Sequence, residues 1–355
     1  MKNILEKTLI KSKDKYKITA FFFISCISMI FYVHQISENK YNYQKHYKKS
    51  NINQNQANNS NFYTIERYGS LEPSDVTVVS VYFQLNKSKH SGEKYKNWTR
   101  NFFHSVSSPL VIFTDKHSIK DLLELRNLLK LPTSLYVTDS IWKVMMEIEQ
   151  ERSLNYTFNY QNKQQSLDRE KHIHNPNLYA LWNLKSFMVN KIAQENFYKS
   201  SSFIYTDSGA WRFQTLENWP DKSIVMNITN LLNDKILFGQ LSHESNALRN
   251  KNFPDVDLIE GGFFMGSQRA LNHFKDNFWR IHDERLERGL FVGKDQLVMN
   301  IYAYNMSNSV KLDIWRKNCS LDLNGWFFYQ NYLALKKYYD CTGDRESLLS
   351  IKRKS

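Results

Sequence analysis

Cysteine is scarce in this sequence: its 355 residues include only three. Cys26 lies in an apolar block near the amino terminus, which leaves Cys319 and Cys341 as the pair available for a disulfide. Disulfides persist in oxidising compartments, so a bond between these two residues would suit a secreted or lumenal domain. Three cysteines agree with such a location without proving it.

A recognisable nucleic-acid-binding motif is also missing. The formal net charge is +13, yet the lysines are spread along the chain and do not form one basic run. A positive charge without a clustered patch or a motif does not indicate a nucleic-acid partner. We interpret the charge as surface chemistry that favours anionic substrates, and we expect no nucleic acid to bind.

An uncharged apolar block at residues 18–33 indicates a membrane segment, and a lysine-rich tail, residues 1–17, precedes it. The block is shorter than the roughly 20 residues that span a bilayer comfortably, so a cleaved signal peptide is the alternative. No small-residue cleavage site follows, which favours a single-pass signal anchor. We expect the globular part in the lumen of the Golgi or endoplasmic reticulum, although lysines after the block weaken the charge asymmetry that sets orientation.

Composition divides the rest of the chain into three parts. Residues 34–74 are rich in Asn, Gln and Lys, which predicts a disordered stem. Residues 75–345 contain the apolar runs of a globular domain, and residues 346–355 form a basic tail. N-glycosylation sequons permit a lumenal location, but an Asn-rich chain produces several by chance. The sequons are at Asn58, Asn86, Asn97, Asn155, Asn227, Asn305 and Asn318.

Strands alternate with helices in the first half of the globular part. Apolar runs at residues 76–83, 110–114 and 135–138 are separated by helical stretches. Unbroken apolar strands suit a sheet covered on both faces, so the pattern predicts an α/β fold with a mostly parallel sheet flanked by helices. Residues 151–174 are polar and lack periodicity, which predicts a mobile loop. Metal binding by His172 and His174 in that loop is the alternative.

A further apolar run, residues 203–205, stops at Asp207 and is followed by Gly209. Aromatic and β-branched residues are typical of buried strands, and Ser-Gly is typical of a turn. Because ligands of open α/β sheets bind outside the carboxyl ends of the strands, Asp207 is a candidate site residue. Earlier runs end in the same way at Asp115 and Asp139, and capping of the following backbone is the alternative for all three residues.

Two later segments carry further candidates. Residues 258–266 predict a strand, and glycines inside a strand often mark close approach by a ligand or another backbone. Residues 293–296 open a predicted helix and place Asp295 near its start. Ordinary N-capping is the alternative role for this aspartate.

Six sequence blocks, in this order, resemble the HtrL/YibB family: VTVVSVYF, PLVIFTD, NLYALWNLKSFM, FIYTDSGAWR, IEGGFFMGS and GKDQLVMN. They cover roughly residues 76–302. The family is related to bacterial surface-glycan glycosyltransferases, and its fold resembles that of the GT-A nucleotide-sugar transferases. The resemblance therefore implies a GT-A-like domain that moves a sugar from a nucleotide-sugar donor to a glycan or glycoconjugate acceptor.

The resemblance also implies donor-binding residues. GT-A enzymes usually hold a divalent metal with an Asp-x-Asp motif, but here Asp207 is followed by Ser208 and Gly209, and the second carboxylate is missing. Asp207 alone could bind Mn²⁺ or Mg²⁺ together with phosphate oxygens and water, so metal dependence stays open. The leaving diphosphate also needs cationic side chains. The donor-binding candidates are Asp115, Lys185, Asp207 and Arg212.

On the acceptor side, the resemblance points to the predicted strand near residue 260 and to the helix start near residue 295. The acceptor-binding candidates are Glu260, Gly261, Gly262 and Phe263. Asp295 and Gln296 are the catalytic candidates, and in an inverting enzyme Asp295 would act as general base on the acceptor hydroxyl. Inversion and retention stay open. This interpretation assigns Asp207 to the donor and Asp295 to the acceptor.

Two other functions compete with transfer. The missing second aspartate favours a catalytically inactive relative that binds glycan or protein partners. A phosphohydrolase with Asp207 as nucleophile is the third hypothesis, but it would also require an aspartate two residues further on. The intact GKDQ and GGFF blocks favour the glycosyltransferase.

Overall fold

The computed structural model describes residues 62–83, 90–126, 131–242, 256–312, 325–339, 341 and 344–350. These residues all belong to one unit, residues 58–355. The described residues do not include the predicted lysine-rich tail at residues 1–17, the apolar block at residues 18–33 or most of the predicted stem. They also do not include Cys319 or the sequons at Asn58, Asn86 and Asn318.

An eight-stranded sheet forms the centre of the described unit. Its strands are β1 (Thr64–Tyr68), β2 (Val76–Tyr82), β3 (Leu110–Asp115), β4 (Thr133–Thr138), β5 (Ser202–Thr206), β6 (Ile236–Gln240), β7 (Ile259–Gly266) and β8 (Ser309–Leu312). Their order across the sheet is β1-β4-β3-β2-β5-β7-β6-β8.

Helices connect the strands. They are α1 (Gly92–Ser105), α2 (Ile119–Leu125), α3 (Ile141–Arg152), α4 (Tyr156–Asn159), α5 (Gln165–Leu167), α6 (Pro176–Asn183), α7 (Lys185–Glu195), α8 (Lys222–Leu232), α9 (Gln268–Glu287), α10 (Asp295–Asn305) and α11 (Phe328–Tyr332). A π-helical segment, Tyr160–Gln164, joins α4 to α5. Short 3₁₀ turns occur at Ser208–Ala210, Lys336–Tyr338 and Arg345–Leu348.

The predicted fold class needs two corrections. The sheet is mixed instead of mostly parallel, because β1 pairs antiparallel with β4, and β7 pairs antiparallel with both β5 and β6. The second correction concerns the predicted transmembrane helix. Among the described residues, no helix combines the length and the apolar composition needed to cross a bilayer.

Apolar side chains cover both faces of the sheet. Neighbouring residues of β3 belong to different buried clusters: Val111 and Phe113 pack into one, and Leu110 and Ile112 into the other. This alternation follows from the period of two in a strand, where successive side chains point to opposite faces. The site residues described below therefore stand on a sheet that is rigidly packed on both sides.

Three segments with polar sequences are ordered parts of the fold. Residues 64–68, inside the predicted stem, form edge strand β1, and the preceding Tyr63 is buried. The predicted mobile loop contains α4, the π-helical segment and α5. In the predicted basic tail, Leu348 and Leu349 are buried, and Leu349 forms a bridge with Leu312 of β8.

The strand order reverses between β2 and β5. The chain places β3 and β4 on one side of β2 and then returns to place β5 on the other side, parallel to β2. Ligands of open α/β sheets bind at such a reversal, in the crevice outside the carboxyl ends of the strands. Asp207 follows the last residue of β5 directly.

Candidate functional site

Asp207 lies at the strand-order reversal with part of its carboxylate open to solvent. Its backbone N–H donates a hydrogen bond to the Gly262 carbonyl at 3.0 Å, which ties the end of β5 to β7. The Tyr205 hydroxyl donates to Asp207 Oδ1 at 2.5 Å. The side chain is 34% exposed, and it makes no side-chain cap of the following 3₁₀ turn. Its carboxylate is therefore available to a ligand.

Lys185 joins Asp207 to Asp295. Its Nζ lies 3.3 Å from Asp207 Oδ2 and 3.0 Å from Asp295 Oδ2, and it donates to the Gly261 carbonyl at 2.9 Å. Burial lowers the pKa of Lys185, but Asp207 and Asp295 outweigh this and hold the pKa above its ordinary value. The ammonium is therefore charged and already balanced by two carboxylates, so Lys185 is not the free cation that a diphosphate would need.

Asp295 is the first residue of α10, but it is buried, and only 3% of its surface is exposed to solvent. Its Oδ1 accepts a hydrogen bond from the Gln296 N–H at 2.8 Å, and its Oδ2 has no well-directed hydrogen bond despite the nearby ammonium. Burial, opposed by Lys185, raises the pKa of this carboxyl. The neighbouring Gln296 donates through Nε2 to the Ile259 carbonyl at 2.8 Å, so its amide is engaged in anchoring β7.

Glu260 is fully buried behind Asp207. The Phe327 N–H donates to Glu260 Oε2 at 3.2 Å, whereas Oε1 has no hydrogen-bond partner among the described residues. Burial is the main reason why the pKa of Glu260 is well above its ordinary value, and the charge of Asp207 also raises it. Burial therefore favours the protonated form of this carboxyl.

The glycines of β7 make room for the site. A Cβ atom at Gly261 would lie 2.7 Å from Gln296 Cγ, and one at Gly262 would lie 3.2 Å from Asp207 Oδ2. Both glycines therefore admit neighbouring side chains of the protein itself. Phe263 is fully buried and its ring stacks on Tyr329 with centroids 4.2 Å apart, so this ring packs inside the protein; its predicted contact with an acceptor sugar stays a prediction.

Asp115 acts as a local cap. It ends β3 at the same edge of the sheet, and its Oδ1 accepts hydrogen bonds from the N–H groups of His117 and Ser118, both at 2.9 Å. The Ser118 hydroxyl donates to Oδ2 at 3.1 Å. These contacts match the capping alternative, and the predicted contact with a nucleotide stays a prediction.

Arg212 is exposed and held between two aromatic rings. Its Cζ lies 4.6 Å from the ring centroid of Trp98 and 5.0 Å from that of Phe327. It forms no ion pair with the residues that the structure describes. Burial raises the pKa of the neighbouring Tyr95, and the charge of Arg212 opposes this rise while that of Asp207 adds to it. Sequence reasoning missed Trp98 and Phe327, since nothing local marks two aromatics so far apart in the chain as partners of Arg212.

The described residues contain no group of three His, Cys, Asp or Glu side chains arranged to hold a metal ion. His174 instead pairs with Asp168 through Nδ1 at 2.9 Å, and His172 is exposed. Asp207, with one partly exposed carboxylate, fits Mg²⁺, which typically uses one or two carboxylates and takes its other ligands from phosphate and water.

The structure describes one of the two cysteines predicted to form a disulfide and some of the predicted N-glycosylation sites. Cys341 is disulfide-bonded, and its expected partner Cys319 lies outside the described residues. The sequon asparagines that the structure describes are all exposed: Asn97, Asn155, Asn227 and Asn305.

No protein-family model matches the chain, and no curated protein matches its sequence. Among solved structures, 121 chains match. One is mouse xyloside xylosyltransferase 1 in its apo form, with 12% sequence identity and a TM-score of 0.43 over 70% of this chain and 89% of that chain. The chain is thus similar to a solved glycosyltransferase structure, at a level that carries no argument about its function. The resemblance to HtrL/YibB stays a prediction.

Proposed function

We propose that this protein is a glycosyltransferase that moves a sugar from a nucleotide-sugar donor to a glycan or glycoconjugate acceptor. The observation that carries the proposal is the place of two side chains after β5, at the strand-order reversal: Asp207 is partly exposed, and Arg212, further along the same segment, is exposed and forms no ion pair with the described residues. A site with one fixed cation and one carboxylate can bind the two ends of a nucleotide sugar, which are an anionic diphosphate and a ring of hydroxyl groups.

Arg212 meets the chemical demand of the leaving group. Negative charge grows on the diphosphate as the glycosidic bond breaks, and a cation already in place stabilises that charge without reorganisation. Trp98 and Phe327 hold the guanidinium through cation–π contacts, which reduces the side-chain freedom that binding would otherwise cost. A guanidinium also binds phosphate oxygens in a bidentate manner.

Asp207 and Asp295 serve one ligand in this proposal. Their shared contact with Lys185 puts both carboxylates in one charged group, so the sequence-based division between donor and acceptor is not the arrangement that the geometry favours. Asp207 is the member that touches the ligand, and Asp295 holds the ammonium from the buried side. A divalent ion would be held by Asp207 and would supply further positive charge to the diphosphate.

We also propose that the protein works in the lumen of the secretory pathway. The exposed sequon asparagines and the disulfide bond at Cys341 support this location, because glycosylation and stable disulfides share that compartment. The alternative function, a catalytically inactive binding protein, is supported by the burial of Asp295 and by the single exposed carboxylate of the site.

Donor binding tests the proposal. Thermal stability of the full chain is measured with a panel of nucleotide sugars and nucleoside diphosphates, with and without Mn²⁺, because a ligand that binds only the native state raises its stability. We expect at least one nucleotide sugar to stabilise the protein. Arg212→Ala should weaken that binding by about tenfold or more, the usual size of a charge-assisted hydrogen bond.

Arg269→Ala is the matched control, because Arg269 is 86% exposed and pairs with Asp234 on another part of the surface. The proposal is overturned if no compound of the panel stabilises the protein, or if Arg212→Ala binds as tightly as Arg269→Ala. Turnover with an acceptor separates a transferase from a binding protein that holds the donor without using it.

A further inference from the structure

Asn183 is a buried asparagine whose side-chain amide forms hydrogen bonds both with its own helix and with the loop before α10. Its Nδ2 donates to the Val292 carbonyl at 3.0 Å and to the Gly293 carbonyl at 3.2 Å, and also to Tyr179 of its own helix. The residue is fully buried at the end of α6. Its side chain therefore holds the loop that leads into α10.

A residue close to Asn183 makes a second contact with this part of the chain. Lys185 follows Asn183 by two residues, at the start of α7, and its Nζ contacts the Asp295 carboxylate at 3.0 Å. We call residues 183–185 the α6–α7 corner. The corner contacts the backbone before Asp295 through an amide and the side chain of Asp295 through an ammonium.

Helix α10 has no side-chain cap at its start. The residue at its N-cap, Lys294, makes no side-chain cap, although such caps normally satisfy the free N–H groups of a helix start. Gly293 packs so closely that a Cβ there would lie 2.8 Å from the Tyr179 ring. The contacts of residues 290–293 therefore help to set the place of Asp295, together with the ion pair of Lys294 with Asp257 and the hydrogen bond of Gln296 to Ile259.

Gln164 is a second anchor of the same loop. Its Oε1 accepts a hydrogen bond from the Val292 N–H at 2.8 Å, and its Nε2 donates to the Leu290 carbonyl at 3.4 Å. Gln164 is buried and ends the π-helical segment, a type of helix that frequently occurs at functional sites. Residues that the sequence predicts to be a mobile loop therefore contribute to the fixed position of Asp295.

We propose that Asn183 is a positioning residue, which holds Asp295 against Lys185 through the backbone of Val292 and Gly293, with Gln164 as the second anchor. This role rests on the proposed function, in which Asp207, Lys185 and Asp295 form the ligand-binding charged group. Removal of the Asn183 amide leaves two buried carbonyls without their donor, and the loop moves to find other partners. Asp295 moves with it, and small displacements in a site have large effects.

Hydrogen exchange tests the positioning independently of the function. Exchange of the amides of residues 290–297 is compared in full-chain Asn183→Ala and Asn190→Ala. Asn190 is also a buried asparagine, on α7, and its side chain accepts only a long hydrogen bond from Gln194. We expect at least about tenfold faster exchange in Asn183→Ala alone, since lost buried hydrogen bonds lower the local opening free energy by this order. Equal exchange in the two variants overturns the proposal.

Gln164→Met provides the same comparison if Asn183→Ala does not fold, because it removes the second anchor with little change in volume. It should increase exchange of residues 290–297 relative to Asn190→Ala. No increase overturns the proposal.

Donor affinity then tests whether Asn183 affects ligand binding through the position of Asp295. Asn183→Ala should raise the donor Kd by about fivefold to tenfold in the wild-type background and by less than about twofold in an Asp295→Asn background, because residues that act through one another are not additive. Equal effects in both backgrounds overturn the positioning role. If the wild-type chain binds no nucleotide sugar, the proposed function fails, and the exchange comparison still decides whether Asn183 positions the loop.

Discussion

At the scale of single residues, the charge of Lys185 determines how the site is organised. A buried ammonium is retained only when nearby anions and hydrogen bonds compensate the loss of water, and here two carboxylates and the Gly261 carbonyl do so. Asp207 and Asp295 therefore share one counter-ion. A change at either carboxylate alters the balance at the other.

The first prediction follows from this shared counter-ion. Asp207→Asn and Asp295→Asn should each weaken donor binding by about tenfold or more, since a hydrogen bond to a charged group is worth roughly 1.5–3 kcal/mol. Calorimetric titration with the best nucleotide sugar of the panel measures the effect. Asp276→Asn is the control, because Asp276 lies exposed on α9. Unchanged donor affinity in Asp295→Asn, together with lost turnover, would instead restore the assignment of Asp295 to the acceptor.

The second prediction concerns the buried carboxyl of Glu260, whose pKa burial raises well above the ordinary value. The folded state keeps this proton to higher pH than the unfolded state does, so its contribution to stability is lost as pH rises above the unfolded pKa of about 4.3. The loss is about 1.4 kcal/mol per pH unit for one proton. Glu260→Gln does not titrate, so its free energy of unfolding should improve relative to wild type as the pH rises above that value. Urea unfolding at several pH values measures this, and a constant difference would contradict it.

At the scale of elements, β1 shows that the ordered domain includes residues of the predicted stem. β1 pairs antiparallel with β4 along its whole length, and the residue before it, Tyr63, is 4% exposed. The Tyr63 ring packs edge-on against Phe113 and Tyr136, and its hydroxyl donates to Glu147 at 2.5 Å. This segment covers the sheet edge that β4 would otherwise expose.

The third prediction is that Tyr63→Ala destabilises the protein by about 3–5 kcal/mol, the usual cost of removing a buried aromatic ring. Tyr63→Phe is the matched control: it keeps the ring, loses the hydroxyl that bonds to Glu147 and should cost about 1 kcal/mol. Chemical denaturation of both variants gives the two values. Wild-type stability in Tyr63→Ala would mean that this residue belongs to a stem without tertiary contacts.

The π-helical segment is a second element that the pattern of residues did not predict. Residues 155–167 are polar and consist of α4, the π-helix and α5, each of only a few residues. Helices this short present too few turns for an apolar period to be visible. Their helical state comes from packing against α3, α6 and the loop before α10.

At the scale of the whole molecule, the site is assembled by strand order. Residues near 185, 207, 260, 295 and 327 meet because β7 inserts antiparallel between β5 and β6. The hydrogen bond from Lys185 to Gly261 joins residues 76 positions apart, and the one from Phe327 to Glu260 joins residues 67 positions apart. No local signal predicts such pairs.

The fourth prediction concerns the carboxyl-terminal region as a part of the whole domain. Cys341 is disulfide-bonded, and mass spectrometry of non-reduced peptides should find it linked to Cys319. Cys341→Ser should lower the free energy of unfolding by about 3 kcal/mol in the chain-entropy model, whereas Cys26→Ser should leave it unchanged. Free thiols at both Cys319 and Cys341 in correctly processed protein would refute the pairing.

The sequence by itself determined the buried strands and the positions of Asp207, Glu260 and Asp295 beside strand and helix ends, because apolar runs, glycines and caps act over a few residues. Only the tertiary structure decided that β1 and residues 155–167 are ordered, that Phe263 is buried, and that Lys185 joins Asp207 to Asp295. These features depend on which strands are neighbours in the sheet. Strand order is set by the summed burial of both faces, and a local pattern contains no information about it.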